Sequence, residues 1–294
     1  MQLLDGKVAS KAIKDEVKNK ILALQASGKK IPHLAAVLVG NNAASESYVT
    51  SKVKNCNETG IKSSLLRLEE SISEAELLMH IKKLNDDEDV DGILVQLPLP
   101  KHISEEKVIY TISPEKDVDG FHPVNVGKMV LGLPTFISAT PFGIMLLLQH
   151  YHIETTGKNV AVIGRSNIVG TPISILLSRN SPSGNATVTL CHSKTKNLEQ
   201  ICLRADIIIA AIGKAEFLKS EMVKENAIVI DVGINRIEDK TKKSGYALKG
   251  DVDFEKVAPK CNYISPVPGG VGLMTIAALL LNTYNACVKR DINS

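Results

Sequence analysis

The sequence predicts an α/β protein of two domains, each a mainly parallel sheet flanked by helices, with the second sheet doubly wound. Three observations carry that reading. β-rich runs alternate with helix-length segments along the chain, which is how parallel sheets are built. The alternation restarts near residue 145. And 294 residues with 44% hydrophobic content can bury two cores. Two domains in turn imply a cleft between them, the expected place for an active site.

In chain order, Val8, Ile13, Val17, Ile21 and Leu24 recur at helical spacing, and Gly28 follows as a cap, so the first long element is an amphipathic helix. "HLAAVLVG" reads as a buried strand ending at Gly40, and residues 43 to 58 as a helix stopped by Gly60. Tyr48 and Lys52, four positions apart, share one face of that helix. "SSLLRL" is a second strand; Ser73 then opens a helix with a capping box, the serine accepting from a free backbone N–H while Glu76 reaches back. "GILVQL" is a third strand, closed by Pro98 and Pro100. Thr140 and Pro141 suit the cap and first turn of the helix through "GIMLLLQHY".

Four short strands follow: "NVAVIG" (159–164), "ATVTLC" (186–191), "DIIIAAIG" (206–213) and "AIVIDVG" (227–233). The polar stretch "RIEDKTKKSGYALKG" reads as an exposed excursion without chemistry, and the final helix starts after "PVPGGVG" and runs to Lys289. No internal repeat or low-complexity tract interrupts the pattern.

Composition narrows the function classes. Lys and Arg total 35 against 32 Asp and Glu, a net charge of +3 spread along the chain, so no basic stripe suits a nucleic-acid backbone. The five cysteines (Cys56, Cys191, Cys202, Cys261, Cys287) are odd in number and never closer than eleven residues. They form neither a metal-ligand spacing nor a disulfide framework, and no metal is expected. The charged start "MQLLDGKVASKAIKDE" is unlike a signal peptide, and the apolar run around "VGLMTIAALLL" is too short to span a bilayer. A soluble cytoplasmic protein in a reducing compartment is expected.

"VAVIGRSNIVGTPISILL" is a strand, a glycine turn and a helix, the arrangement that aims free backbone N–H groups and the positive helix end at a phosphate. Gly164 and Gly170 stand six apart with Ser166 between, unlike the usual G-x-G-x-x-G. Alone, these glycines serve equally well as a tight turn; the four-strand context favours a Rossmann-like nucleotide-binding domain. The end of its second strand selects the cofactor, since a carboxylate there holds a ribose 2′-hydroxyl whereas cations and hydroxyls suit a 2′-phosphate. The chain reads "CHSKTK": no acid, with Ser193, Lys194 and Thr195 as donors and Arg165 in the turn. NADP is therefore expected over NAD, although Lys194 and Lys196 also fit the role of solvated surface charges. The expected cofactor contacts are Gly164, Arg165, Ser166, Ile168, His192 and Ser193.

In the first domain single residues say little. A Tyr and a Lys four apart usually rest on each other. Gln96 in an apolar strand is more often a satisfied amide than a reactive one, and Asp117 and Asp119 in "KDVDGFHP" are common turn formers. Together, however, "YVTSK", "VQLPLP", "PEKDVDGFHPVNVGK", "GRSNIVGTP" and "PVPGGVGLMT" stand in the order and approximate spacing of one family. The chain resembles, nearly end to end, the bifunctional methylenetetrahydrofolate dehydrogenase/methenyltetrahydrofolate cyclohydrolases of the FolD type.

The resemblance implies a folate-binding catalytic domain over residues 1–145, completed by a C-terminal helix at 272–294. It implies a Rossmann-like NADP domain over 146–271, tetrahydrofolate one-carbon derivatives as substrates, and a homodimer. It matches Lys52 to the catalytic lysine, Tyr48 to a tyrosine packed beside the folate, Gln96 to the glutamine next to the lysine, and Asp119 to the acid that binds the pterin ring. Leu97 and the junction residues Pro268, Gly269 and Gly270, which carry no side chain that would block an approach, then border the substrate. Ile234 in "VGIN" lies at the nicotinamide end of the cofactor. Two departures are visible: Leu273 stands where the family usually has proline, and Ala139 where cysteine is common.

The implied chemistry needs few groups. Hydride transfer from a methylene carbon demands chiefly positioning. Hydration of the resulting methenyl cation demands a proton acceptor, and Lys52 is the candidate. An ordinary lysine, with a pKa near about 10.4, is charged at neutral pH, so this role needs burial or a neighbouring cation to favour the neutral amine. The competing reading is another NADP oxidoreductase, acting on a keto or enol acid with Lys52 and Asp119 as a proton-transfer pair.

Overall fold

The computed structural model describes residues 1–239, 241 and 245–293, the side chains of 44 and 290–293 excepted. Lys240 and residues 242–244, in the expected excursion, lie outside the described residues. Contacts divide the chain into two units, one of Met1–Ser10 with Ala139–Thr275 and one of Lys11–Ser138 with Ile276–Ser294. The breaks thus fall at 138/139 and 275/276, several residues from the 145/146 and 271/272 anticipated. The first ten residues group with the later unit because β1 (Gln2–Leu3) pairs in parallel with the last strand of its sheet.

The unit of residues 11–138 carries most of α1 (Gly6–Ala26), whose Ile13, Val17 and Ile21 are buried at helical spacing while Val8 is exposed. Gly28, at φ +66°, ends it. β2 (His33–Val39), α2 (Ala43–Thr59), β3 (Lys62–Leu68), α3 (Glu74–Asp86) and β4 (Gly92–Val95) follow, and the three strands form a parallel sheet ordered β3-β2-β4. Every residue of the central β2 is buried, which is why it reads as an unbroken apolar run from Leu34 onward. The capping box at Ser73 is formed in both directions, with Glu76 N on the serine Oγ and Ser73 N on the glutamate. α4 (Glu105–Thr111) and α5 (Pro123–Leu131) complete this part, and Val37, Ile81, Ile93 and Val108 knit β2, α3, β4 and α4 into one core.

The other unit begins its main run with α6 (Ala139–His150), one residue before the expected Thr140 cap. β5 (Asn159–Ile163), α7 (Gly170–Ser178), β6 (Thr187–Cys191), α8 (Leu198–Arg204), β7 (Ile207–Ala210) and β8 (Ala227–Asp231) alternate as anticipated. β9 (Asn235–Glu238) and β10 (Tyr246–Lys249) form an antiparallel hairpin out of the polar excursion. After α9 (Phe254–Val257), β11 (Cys261–Ile264) closes the sheet as β1-β11-β8-β7-β5-β6, every pairing parallel. The chain leaves β5 for β6 on one side and returns to β7 on the other, so the strand order reverses there. Such a switch point is where open α/β sheets bind ligands, beyond the carboxyl ends of the strands.

α10 (Val271–Asn293) corrects one expectation: Val271–Lys289 is long and apolar enough to meet the condition for a membrane span. Over half of that window, 56%, is buried inside the protein, and Asn282 on its inner face donates to the carbonyls of Val118 (2.8 Å) and Ile137 (3.0 Å). This is the pattern of a core helix, not of a lipid-facing one.

Candidate active site

α2 turns Val49 and Cys56 into the core, which leaves Lys52, one turn on from Val49, half-buried at the edge of that face and Tyr48 half exposed above it. The Lys52 Nζ donates to the Gln96 Oε1 at 3.2 Å. Contrary to expectation, Gln96 does not interrupt a strand; it stands directly after β4, and its backbone N–H extends the ladder by donating to the Val37 carbonyl. Its Nε2 donates to the Leu97 carbonyl at 2.6 Å, which turns the amide oxygen toward the lysine. Burial pushes the Cys56 thiol up to about 12, with the nearby Lys52 charge pulling the other way.

The two aspartates of "KDVDGFHP" are separated by their partners. Asp117, 2% exposed, accepts from the backbone N–H groups of Phe121 (3.2 Å) and His122 (2.7 Å) and from the Asn125 amide (2.9 Å). Burial outweighs those bonds and lifts its carboxyl to about 6. Asp119 accepts no hydrogen bond among the described residues. Burial raises its carboxyl above the ordinary range while the Lys52 charge works to lower it. Leu97, Phe121 and Asp119 line one small cavity together with Ile93 and Val95. Asp117 thus locks the turn, and Asp119 is left with its acceptors open.

In the sheet with the switch point, Gly164 adopts φ +118°, and a Cβ there would lie 2.0 Å from the Ala211 carbonyl oxygen. Only glycine lets the turn after β5 lie against the loop after β7. Ser166 Oγ accepts from the N–H groups of Val169 (3.2 Å) and Gly170 (3.4 Å) at the start of α7, and residues 165–168 are exposed. The Arg165 guanidinium has no hydrogen bond or ion pair among the described residues. At the end of β6, Thr195 Oγ1 accepts from His192 N (2.8 Å) and the His192 Nδ1 from Lys194 N (3.1 Å), with Ser193 exposed. Cationic and hydroxyl groups without a carboxylate are the chemistry that fits a 2′-phosphate.

Ile234 is 47% exposed on the loop between β8 and β9, and its Cδ1 lies beside Gly272. The junction before α10 is pinned to the start of α1 by Gly6 N on the Gly269 carbonyl (2.8 Å), and Leu273 N, in the first turn of α10, donates to the Gly270 carbonyl (3.2 Å). The Leu97–Pro98 and Val267–Pro268 bonds are cis. Within one unit, then, the structure gathers Lys52, Gln96 and Asp119, with Leu97 adjoining; within the other it sets Gly164 on Ala211 and Ile234 beside Gly272. Sequence reasoning passed over two buried acids, Asp231 and Asp251, although "GDVDF" after a polar excursion was a signal in view. Among the described residues no group of three His, Cys, Asp or Glu side chains is placed to hold a metal.

A doubly wound sheet with a glycine turn at its switch point, joined to a second α/β unit bearing an amine, an amide and an open carboxyl, defines a nucleotide-dependent α/β enzyme of the dehydrogenase class. The family pattern described as tetrahydrofolate dehydrogenase/cyclohydrolase, catalytic domain, matches residues 4–119, and that of the same family's NAD(P)-binding domain matches residues 138–291. The chain belongs to the tetrahydrofolate dehydrogenase/cyclohydrolase family.

It is 61% identical over 290 residues to the bifunctional protein FolD of Cytophaga hutchinsonii, covering 99% of this chain and 100% of that one. The crystal structure of the bifunctional FolD methylenetetrahydrofolate dehydrogenase/cyclohydrolase from Campylobacter jejuni is 51% identical, with a TM-score of 0.92 over 99% of each chain. That of the Trypanosoma brucei enzyme, complexed with NADP and an inhibitor, is 34% identical with a TM-score of 0.91, covering 99% of this chain and 98% of that one.

Proposed function

We infer that the protein oxidises 5,10-methylenetetrahydrofolate to 5,10-methenyltetrahydrofolate with NADP and then hydrolyses the product to 10-formyltetrahydrofolate, with Lys52 as general base. The observation that carries the reading is the pairing of the Lys52 amine with the neutral Gln96 carbonyl, beside a carboxyl, Asp119, that has no partner of its own. Nothing favours the keto- or enol-acid alternative over the family to which the chain belongs.

Bound NADP supplies a hydride acceptor. Gly164, Arg165, Ser166 and Ile168 would hold its pyrophosphate end, His192 and Ser193 its 2′-phosphate side, and Ile234 its nicotinamide. The pterin ring presents an amino group and a ring N–H, and the open Asp119 carboxylate accepts both, which orients the one-carbon bridge. Tyr48 and Leu97 supply apolar surface for the rest of the folate.

Oxidation leaves the substrate as a methenyl cation, and water adds to its carbon. The neutral Lys52 amine takes a proton from that water as the C–O bond forms. When the bond from the carbon to N5 breaks, the ammonium returns a proton to N5 and the amine takes the hydroxyl proton as the formyl C=O forms. One proton in total passes to solvent. Gln96 accepts a hydrogen bond from the amine without adding a negative charge that would hold it as an ammonium.

A coupled assay tests the whole reading: methylenetetrahydrofolate is supplied with NADP or NAD while NADPH and methenyl-folate absorbance are followed together. NADP-dependent reduction with transient methenyl-folate is expected; use of NAD alone would overturn the roles given to Arg165 and the 191–196 segment. The same reading carries a homodimer and a cytoplasmic location, the latter in keeping with five buried cysteines that form no disulfide with one another. Sedimentation of the purified chain at the dimer mass is the expected check on the first.

A further inference from the structure

At the carboxyl ends of β7 and β8 lies a pair of buried acids to which the reaction above gives no part. Asp231, the last residue of β8, accepts from Gly233 N (3.0 Å), Asp251 N (2.9 Å) and Val252 N (3.0 Å), and its own N–H donates to Ser265 Oγ (2.8 Å) beyond β11. Asp251 is fully buried. One of its carboxyl oxygens accepts from both Ile212 N (2.6 Å) and Gly213 N (2.8 Å) in the loop after β7; the other accepts from the Asn235 amide (2.9 Å) just past Ile234. The packing leaves no slack, because a Cβ on Gly233 would lie 2.1 Å from the second of those oxygens.

Asp251 therefore ties together two loops that share nothing in sequence: Ala211–Gly213, against which the Gly164 turn lies, and Gly233–Asn235, which presents Ile234 to solvent. Both loops sit at the ends of parallel strands where an open α/β sheet takes its ligand. A large apolar side chain held half exposed between two fixed residues is placed for contact, not for core packing. We propose that Asp251 is a positioning residue for the dehydrogenase step, clamping the loops after β7 and β8 so that Ile234 meets the nicotinamide end of the cofactor in one fixed place. This rests on the NADP-dependent oxidation proposed above. Asp251 touches neither substrate nor cofactor; it acts through the backbone of Ile212 and Gly213 and through Asn235. Among the described residues, its side-chain hydrogen bonds reach no residue of the segment after β6 and none of Lys52, Gln96 and Asp119.

The test is steady-state kinetics of the full-length Asp251→Ala, Asp251→Asn and Asn235→Ala proteins beside the wild type. Loss of the clamp lets the reacting carbon drift, and displacements of that order cost up to about 100-fold, so kcat for methylene-folate oxidation in Asp251→Ala is expected to fall roughly 10- to 100-fold. The NADP-over-NAD preference and the rate of methenyl-folate hydrolysis without NADP are expected to stay within about twofold, readouts that general damage to the fold would move as well. Asp251→Asn keeps one oxygen for Ile212 and Gly213 and is expected to recover most of the loss. Wild-type kcat in Asp251→Ala overturns the clamp. If that variant does not fold, Asn235→Ala decides: a fall of about threefold or more at an unchanged melting temperature supports the clamp, and wild-type kcat overturns it. A wild-type protein inactive toward methylene-folate overturns the proposed function and the clamp with it, whereas an active wild type with an indifferent Asp251→Ala overturns the clamp alone.

Discussion

Asp231 and Asp251, in the unit with the doubly wound sheet, are each held by three hydrogen bonds, whereas Asp119, in the unit of residues 11–138, holds none among the described residues. The lysines of the latter unit divide in the same way. Lys116, 2% exposed, donates to the carbonyls of Leu84 (2.9 Å) and Asp87 (2.6 Å) and so ends α3, while Lys52 has one neutral acceptor at 3.2 Å. A buried polar group with its partners in place contributes to the fold; one left short of partners carries a desolvation cost that a ligand can relieve. On the proposed reading, the difference separates groups that hold the architecture from groups that await a substrate, even where they are neighbours in the chain.

The sharpest way to break this division is Lys52→Met. Removing a general base costs about 10²- to 10⁴-fold, so methenyl-folate hydrolysis should fall by that much while NADP reduction remains measurable. Full hydrolysis in the variant would remove the amine from the mechanism. Next come the two aspartates. Asp119→Ala loses the charge-assisted bonds proposed to the pterin, and its KM for folate should rise roughly 10- to 100-fold with stability within about 0.5 kcal/mol of wild type. Asp117→Ala strands three donors and should lower stability by about 3 kcal/mol. Denaturant unfolding and KM measured on both proteins would show the roles exchanged if the division is wrong.

A smaller effect is expected from Gln96→Glu. A carboxylate in contact with the lysine holds it as the ammonium, so hydrolysis should drop roughly tenfold at neutral pH and recover as the pH is raised. A rate–pH profile overlying that of the wild type would mean that the neutrality of Gln96 has no role.

These contrasts explain what could be read in advance. β2 was legible because seven consecutive buried residues leave an apolar run that few other structures produce, and α3 because its cap is written in two residues, Ser73 and Glu76. The missing acid after β6 was equally plain, since a residue type at a strand end is local information. β1 was not legible: two exposed residues have no periodicity, and what makes them a strand is a partner more than 250 positions away, Tyr263 and Ile264. Gln96 was misplaced into its strand because an amide that makes one more ladder bond looks like strand from the sequence side. Asp117 and Asp119 are the same residue type in one turn; the family resemblance singled out Asp119, while residue chemistry alone left the two alike until their partners were seen. Asp251 was hidden for the same reason, its importance lying in loops 38 and 16 positions away.

The last prediction probes the saturated side of the comparison. Burial raises the Asp231 carboxyl from 3.8 to about 7, against the pull of its three backbone donors. A carboxyl whose folded pKa lies above its unfolded one binds its proton more tightly in the folded state. Its stabilising contribution is complete below pH 4 or so and is lost as the pH rises from about 4 to about 7. Glu74, Asp89 and Asp206, held low by their lysine partners, work in the opposite direction, but equally in wild type and in an Asp231→Asn variant. The variant lacks the titrating proton. It starts less stable, because its amide offers a donor to backbone donors, and the gap to wild type should narrow by up to about 3 kcal/mol between about pH 4 and about pH 7. Melting temperatures of the two proteins across that range measure the gap, and a constant difference would show that Asp231 stays ionised throughout, its three donors outweighing its burial.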